Sequence, residues 1–206
     1  MKNPKNWLWL FLFGSLWGIN EVVMGGILSQ NKVPHFSIFL AVIALFILAA
    51  ARGIINTPGS STLIGVFAVL FKLANVAPFH CHLLGIFITG LAFDVFASVL
   101  MKNEKNAPIR SSLAGILSVY SGNALFAFVI TYIVRYEYWT REGLPKVLSH
   151  IFVAGTITAL LAAIAVPLGF RIGVTSGRLA KRQPRWTSTG TVVGIVAVWI
   201  LARVLV

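Results

Sequence analysis

The chain has 206 residues, of which 58% are hydrophobic; its mean hydropathy is +0.88 and its formal net charge is +12. Such hydropathy excludes an ordinary soluble domain. Because a bilayer core offers no water to the backbone, the long apolar runs predict helices, and the short alternating strands of a β-barrel are not seen.

Seven apolar runs follow one another with short polar joints between them. A membrane span needs roughly 20 mostly apolar residues, and the runs lie at about 7–29, 36–55, 60–77, 80–101, 110–134, 148–170 and 187–206. We therefore expect an all-α, polytopic integral membrane bundle of six to seven transmembrane helices, forming a single domain over 1–206. The one cysteine, Cys81, excludes an internal disulfide framework.

The cationic residues are divided unevenly between the two sides that these spans define. If the N-terminus is cytoplasmic, the inner side holds eleven: Lys2, Lys5, Arg52, Lys102, Lys105, Arg110, Arg171, Arg178, Lys181, Arg182 and Arg185. The outer side holds five: Lys32, Arg135, Arg141, Lys146 and Arg203. The positive-inside rule predicts this orientation, with residues 171–185 as a cytoplasmic loop beside anionic lipid. The positive charge therefore indicates membrane lipid, and no nucleic acid, as a partner.

Ionisable side chains interrupt several apolar runs. Glu21 and Lys72 fall in the outer halves of the first and third spans, and each alone would cost about 2.5–3.5 kcal/mol at mid-membrane. We expect them to pair, and either to line an outward-facing site with Asn123 or only to hold two helices together. Asp94 is expected to pair with Arg52 nearer the inner side. Small residues form the predicted packing stripes: Gly14, Gly18 and Gly25; Gly65 and Ala68; Gly90 and Ala97; Ser111, Gly115, Ser118 and Gly122.

All four histidines and the cysteine fall on the predicted outer side. Residues 78–82, with the sequence Pro-Phe-His-Cys-His, form the joint between the third and fourth spans. Imidazole and thiolate bind transition metals, but consecutive helical residues diverge by about 100°, so we expect one or two of them to act with a partner from elsewhere. Interfacial histidines without a ligand are the alternative. The candidates are His80, Cys81 and His82 for a metal, and Glu21, His35, Lys72, Asn123 and His150 for a substrate.

The local chemistry also predicts how accessible these groups are. Two imidazoles flank Cys81 and, when protonated, would favour its thiolate, so we expect a reactive, outward-accessible thiol. The outer joint at 135–142 mixes aromatic and charged residues and would either cover a pocket or form an interfacial belt. The sequence has no hydrolase, zinc-protease or phosphate-binding motif, so we expect no enzyme activity.

The layout of residues 7–172 resembles the S components of energy-coupling-factor transporters, the substrate-capturing subunits for vitamins and transition metals. The resemblance is carried by Thr57-Pro58-Gly59-Ser60-Ser61, by the segment from Gly90 to Asp94, and by the Gly14/Gly18 pair. It implies a prokaryotic cytoplasmic membrane, an outward-facing pocket, and an ATPase pair with a coupling membrane subunit as partners.

The resemblance also suggests a ligand. In some solitary S components for cobalamin, a cysteine between helices 3 and 4 is a cobalt ligand, and Cys81 occupies the comparable place. Two features differ. S components commonly have six helices, whereas this chain has a further predicted span at 187–206. Those specific for metal ions have a histidine near the initiator methionine, where this chain has Met1-Lys2. Free nickel or cobalt is therefore not expected.

These observations lead to one functional prediction and two alternatives. We expect a substrate-binding membrane subunit for uptake of a micronutrient, either a vitamin such as cobalamin or another metal-containing cofactor. The first alternative is a membrane-embedded haem- or metal-binding redox protein that holds its cofactor permanently. The second is a ligand-free structural subunit, in which the polar pairs only specify helix packing.

Overall fold

The computed structural model describes residues 4–75, 80–102, 107–182 and 184–205, which form helices and no strand. Three π-helical turns, Asn20–Met24, Val129–Ile133 and Ser149–Ala154, join α1 to α2, lengthen α6 and join α7 to α8. The expected all-α fold is confirmed. Within these ranges the helices are α1 (Pro4–Ile19), α2 (Gly25–Gln30), α3 (Phe36–Ile54), α4 (Ser60–Asn75), α5 (His80–Leu100), α6 (Ala107–Phe128), α7 (Glu137–Leu148), α8 (Gly155–Arg182) and α9 (Pro184–Leu205).

Six helical segments of the described chain are long and apolar enough to cross a membrane. The described part of α4 is apolar and has 16 residues, which reach about 24 Å, against a hydrocarbon core of about 30 Å. The protein is therefore a multi-pass helical membrane protein, and the side on which its termini lie stays a prediction. The six segments are Asn6–Gln30, Phe36–Ile54, His80–Leu100, Ala107–Ile133, Glu137–Arg182 and Thr187–Leu205.

Two predicted joints contain helix. The prediction of a loop over 171–185 is wrong, because α8 continues to Arg182. Its Gly173 and Gly177 lie against the last turns of α3, so the packing face extends well beyond the apolar run that the sequence shows. The joint at 135–147 contains most of α7, which bends at Gly143, where φ is 63° and the chain is not helical.

Neighbouring helices close a ring. In order around it, α1 packs against α4, α4 against α5, α5 against α6, α6 against α8, α8 against α3, and α3 returns to α1. The helix α9 lies mainly against α1, outside this ring. Buried side chains from α1, α3, α4, α5, α6 and α8 fill the middle of the ring as one apolar core.

Glycines allow close approach of main chains where the helices cross. Gly65 on α4 faces Gly90 on α5, where a Cβ at Gly90 would lie 3.3 Å from the Gly65 Cα. A Cβ at Gly169 of α8 would lie 2.5 Å from the carbonyl oxygen of Phe46 on α3. The predicted small-residue stripes on α4 and α5 therefore form a packing surface. The sequence analysis did not predict the corresponding role of the α8 glycines.

The predicted ion pair between Arg52 and Asp94 is confirmed. Arg52, in the last turn of α3, has no exposed surface, and its guanidinium binds the Asp94 carboxylate of α5. The guanidinium also donates hydrogen bonds to Ser61 Oγ (3.1 Å), the Thr57 carbonyl (2.8 Å) and Ser98 Oγ (2.7 Å). The cation is thus surrounded by acceptors from the loop between α3 and α4, from α4 and from α5.

Asp94 also binds the start of α4, where main-chain N–H groups have no partner within the helix. Its carboxylate accepts from the N–H groups of Gly59 (2.9 Å) and Thr62 (2.8 Å), and from the Thr62 hydroxyl (3.0 Å). A negative charge at this position is favoured by the α4 dipole. The Arg52–Asp94 network therefore fixes the ends of α3, α4 and α5 relative to one another.

Candidate functional site

Successive membrane-crossing segments alternate in direction, so two faces of the bundle can be distinguished. At one face α2 ends, α3 begins, α4 ends and α5 begins; we call it the histidine face because His35, His80, His82 and His150 lie there. At the other, α3 ends, α4 begins and α8 ends; we call it the basic face. It carries Arg52, Arg110, Arg171, Arg178, Lys181 and Arg182. The predicted clustering of the histidines at one face is thus confirmed.

Near the histidine face, the predicted pair of Glu21 and Lys72 is present. Lys72 Nζ lies 3.2 Å from Glu21 Oε2, and the two side chains are only 7% and 12% exposed. The indole N–H of Trp17 donates to the other carboxylate oxygen, at 3.2 Å. Glu21 lies in the π-helical turn after α1, and Lys72 in the last turn of α4, so the pair joins two helices inside the membrane.

Two amides close in sequence to this pair have unused hydrogen-bonding groups. Asn20, adjacent to Glu21, is 7% exposed, and its Nδ2 has no hydrogen-bond partner. Asn75, three residues after Lys72, donates from Nδ2 to the Phe71 carbonyl (2.7 Å), but its buried Oδ1 has no partner. A buried polar group without a partner costs about 1–3 kcal/mol. An unused amide donor is therefore adjacent in sequence to the anionic Glu21. An unused amide acceptor follows three residues after the cationic Lys72.

His82, in the first turn of α5, is the other predicted residue near the pair. The charges of Lys72 and Glu21 both act on its imidazole, which places the three groups in one electrostatic environment. Its side chain is exposed, whereas the ion pair is largely buried. The structure thus brings together residues from α4, α5 and the turn after α1.

Cys81, Asn123 and His150 belong to a different part of the histidine face. The His150 ring packs edge-on against Trp139 at 5.1 Å and lies 5.5 Å from the ring of Phe126. Asn123 Nδ2 donates to the His150 carbonyl at 3.4 Å. Cys81 is half-buried against the same aromatic and aliphatic cluster, and the reactive, outward-accessible thiol stays a prediction.

The remaining candidates lie apart from both groups. His35 is exposed and precedes α3 with a left-handed φ of 53°. His80 is exposed at the start of α5, and Pro78 and Phe79 of the same motif lie outside the described residues. In the described part of the chain, no group of three or more His, Cys, Asp or Glu side chains is placed to hold a metal. The candidate residues named from the sequence therefore do not form one group.

The interior between α3, α5, α6 and α8 contains a small cavity. Its volume is about 20 Å³, and its polar lining comes from Thr89, Ser118, Asn123 and Thr158. That volume accommodates about one water molecule, whereas pockets for drug-sized ligands measure about 300–1,000 Å³. Binding of a vitamin-sized solute in this region would therefore require the helices to separate.

The sequence did not predict the three π-helical turns or the role of Asn20. All three turns lie at the histidine face, and Glu21 and His150 each occupy one of them. Such turns interrupt the regular hydrogen-bond ladder and often mark functional sites. No residue pattern in the apolar runs distinguishes them from ordinary helix. A sequence signal did exist for Asn20, because it is an amide inside an apolar span next to Glu21.

No protein-family model, curated protein or solved structure matches the chain. The argument for function therefore depends on the chemistry of its own residues. The fold defines a multi-pass helical membrane protein, and its membrane-embedded Glu21–Lys72 pair is the strongest candidate site.

Proposed function

We propose that the protein is a substrate-binding membrane subunit that captures a small polar solute for uptake at the Glu21–Lys72 pair. The observation that carries the proposal is a largely buried ion pair in the apolar helices, with an unpaired buried amide atom one residue before Glu21 and another three residues after Lys72. Ionisable residues in membrane spans are costly and usually serve a substrate or ion pathway.

The contrast with the other buried ion pair supports this proposal. The charged groups of Arg52 and Asp94 are bonded by hydroxyl, carbonyl and main-chain N–H groups, although the hydroxyl of Thr57 in this network is itself buried without a partner. In the segments that carry Glu21 and Lys72, the atoms without partners are the amide groups Asn20 Nδ2 and Asn75 Oδ1. A solute would provide the missing hydrogen bonds, and their net contribution is about 0.5–1.5 kcal/mol each.

The charges at the site favour a zwitterionic solute, which has both a carboxylate and an ammonium group. The carboxylate would accept from Lys72 and Asn20, and the ammonium would donate to Glu21 and Asn75. Such an exchange leaves no uncompensated charge in the membrane, which is the costly outcome for a buried ion pair. A small organic vitamin or amino-acid-like micronutrient fits this description.

Uptake, rather than simple binding, is the function that the resemblance to S components supports. In that case an ATPase pair and a coupling membrane subunit are the partners, and a prokaryotic cytoplasmic membrane is the location. A metal-containing ligand such as cobalamin is less well supported. Cys81, the candidate ligand, is half-buried and packs against the aromatic and aliphatic cluster around Trp139, apart from the Glu21–Lys72 pair.

Thermal unfolding of the purified protein with solutes of four charge classes tests the proposal. A ligand that binds only the folded state raises the melting temperature, by an amount equivalent to about 2.7 kcal/mol at one hundred times Kd. We expect zwitterionic solutes to raise it more than cationic, anionic or neutral solutes of similar size. We expect Lys72→Met to abolish the increase.

Lys146→Met is the matched control, because Lys146 is a cation at the same face that contacts Tyr138 instead of the pair. This variant should keep the full ligand-induced increase. If no solute class stabilises the wild-type protein, or if Lys146→Met loses the effect as completely as Lys72→Met, the pair has only a structural role.

A further inference from the structure

The helix α8 extends further at the basic face than the helix it packs against. A Cβ placed on Gly177 of α8 would lie 3.5 Å from the Cα of Ile54, the last residue of α3. Gly177 is therefore level with the end of α3. Residues 178–182 continue beyond that level as helix. Arg171 therefore lies about one and two-thirds turns before the level at which α3 ends.

One face of the C-terminal part of α8, from Arg171 to Arg182, is cationic. Arg171, Thr175, Arg178 and Arg182 are spaced by four, three and four residues, which places them on the same side of the helix. Gly173 packs against α3 from another side. Arg171, Thr175 and Arg182 are exposed, so this face is directed away from the bundle.

A shallow groove lies on this face. It has a volume of about 240 Å³ and is lined by Arg171, Ile172, Thr175 and Ser176. A guanidinium and the Ser176 hydroxyl suit a phosphate, since arginine provides paired donors for its oxygens. The Thr175 hydroxyl donates to the Arg171 carbonyl (3.0 Å) and lines the groove beside them. Ile172 and the preceding Leu168 are exposed apolar side chains on adjacent turns, where an acyl chain would lie.

The surrounding charges favour an anion at this groove. The sequence has no acidic residue after Glu142. The ion pairs found among the described residues involve Arg52 and Lys72, so neither neutralises Arg171. Basic residues near a membrane surface attract anionic lipid, with each cation contributing about 1 kcal/mol.

We propose that the groove at Arg171, Thr175 and Ser176 binds the phosphate of an anionic phospholipid, with Ile172 against its acyl chain. The site is separate from the Glu21–Lys72 pair, which lies towards the opposite membrane face. The proposal is therefore independent of solute uptake.

Lipid retention measured by native mass spectrometry tests this assignment. The whole protein is exchanged into micelles with equal amounts of phosphatidylglycerol and phosphatidylcholine, which differ in headgroup charge. We expect the wild-type protein to retain phosphatidylglycerol preferentially. Removing the guanidinium in Arg171→Gln should lower that preference by about fivefold, which corresponds to about 1 kcal/mol. Arg171→Lys should keep part of it.

Arg141→Gln, which removes an exposed cation from the histidine face, is the matched control and should retain the wild-type preference. Equal retention of the two lipids, or an equal loss in both glutamine variants, would overturn the proposal. Displacement of phosphatidylglycerol by millimolar inorganic phosphate would also overturn it, because the groove would then bind free phosphate. Far-ultraviolet circular dichroism confirms that each variant remains helical.

Discussion

Arg52 and Lys72 show two ways in which this bundle accommodates a buried cation. Around Arg52 the protein supplies acceptors from three neighbouring segments, and its carboxylate partner also binds the start of α4. Lys72 is bound by Glu21, whose second oxygen accepts from Trp17. In the proposed function the Glu21–Lys72 pair exchanges partners with a solute, whereas the Arg52–Asp94 network holds the ends of three helices together.

Removing either charge of the Glu21–Lys72 pair should destabilise the protein. Because the remaining charge is left buried without its partner, Glu21→Gln and Lys72→Met should each lower the free energy of unfolding by about 1–3 kcal/mol. The double variant should regain part of that loss, since neither charge then remains. Thermal or denaturant unfolding in detergent measures all three variants. Strictly additive losses would contradict a direct interaction between the two side chains.

Cys81 provides a test of the metal-containing ligand. Because its side chain is half-buried against the cluster around Trp139, it should react with a maleimide more slowly than Gln30→Cys in a Cys81→Ser background. Cys81→Ala should cost less than about 1 kcal/mol and leave solute binding unchanged. Equal labelling rates, or a loss of binding by about tenfold or more, equivalent to about 1.4 kcal/mol, would instead favour a thiolate ligand.

At the scale of helices, the sequence predicted the elements better than their ends. Hydropathy located the apolar helices, because a membrane span needs about 20 apolar residues, and it also located α4, of which 16 residues are described. It did not show that α8 continues to Arg182, since the continuing contact uses small residues on one side while cations occupy the other. It also could not reveal the π-helical turns, which arise from packing between helices.

For the candidate site, the sequence predicted pairs but not the grouping of more distant residues. Glu21 with Lys72, and Arg52 with Asp94, could be predicted because an isolated charge in the membrane must find its complement. Whether His82 or His150 lies near the first pair depends on which helices are neighbours in the ring. A single sequence contains little information about that order.

The contact between α3 and α8 can be tested with one glycine. A Cβ at Gly173 would clash with the Ala50 carbonyl, so Gly173→Ala should lower the free energy of unfolding by about 1–3 kcal/mol. Gly26→Ala is the matched control, because a Cβ there meets no atom within 4 Å, and it should be neutral or stabilising by about 0.5–1 kcal/mol. If the two variants have the same stability, the close approach of α3 and α8 is wrong.

For the whole molecule, the distribution of positive charge predicts that the basic face is cytoplasmic. Single cysteines in a Cys81→Ser background can report on this, because Asn31 and Arg182 are exposed and lie at opposite faces. A membrane-impermeant maleimide added to intact cells should label Asn31→Cys and should label Arg182→Cys only after lysis. The reverse pattern would place the histidine face, and with it the proposed solute site, in the cytoplasm.

The structure and the proposed uptake function meet at the histidine face, where the ion pair, the unpaired amides and the π-helical turns occur together. A solute entering there would exchange with an existing ion pair instead of filling a preformed large cavity. This mechanism requires local opening of α1, α4 and α5, while the Arg52–Asp94 network holds the other end of α3, α4 and α5 together. Transport then depends on Lys72 but not on other cations at the same face.

The most direct test is accumulation of the radiolabelled solute that stabilises the purified protein, measured in cells that contain or lack the chain. We expect accumulation to require the chain and to fall by at least about tenfold in Lys72→Met, a change equivalent to about 1.4 kcal/mol of binding free energy. Lys146→Met should accumulate the solute as the wild-type chain does. Wild-type accumulation by Lys72→Met, at equal abundance in the membrane, would contradict the assignment of the Glu21–Lys72 pair as the site of solute capture.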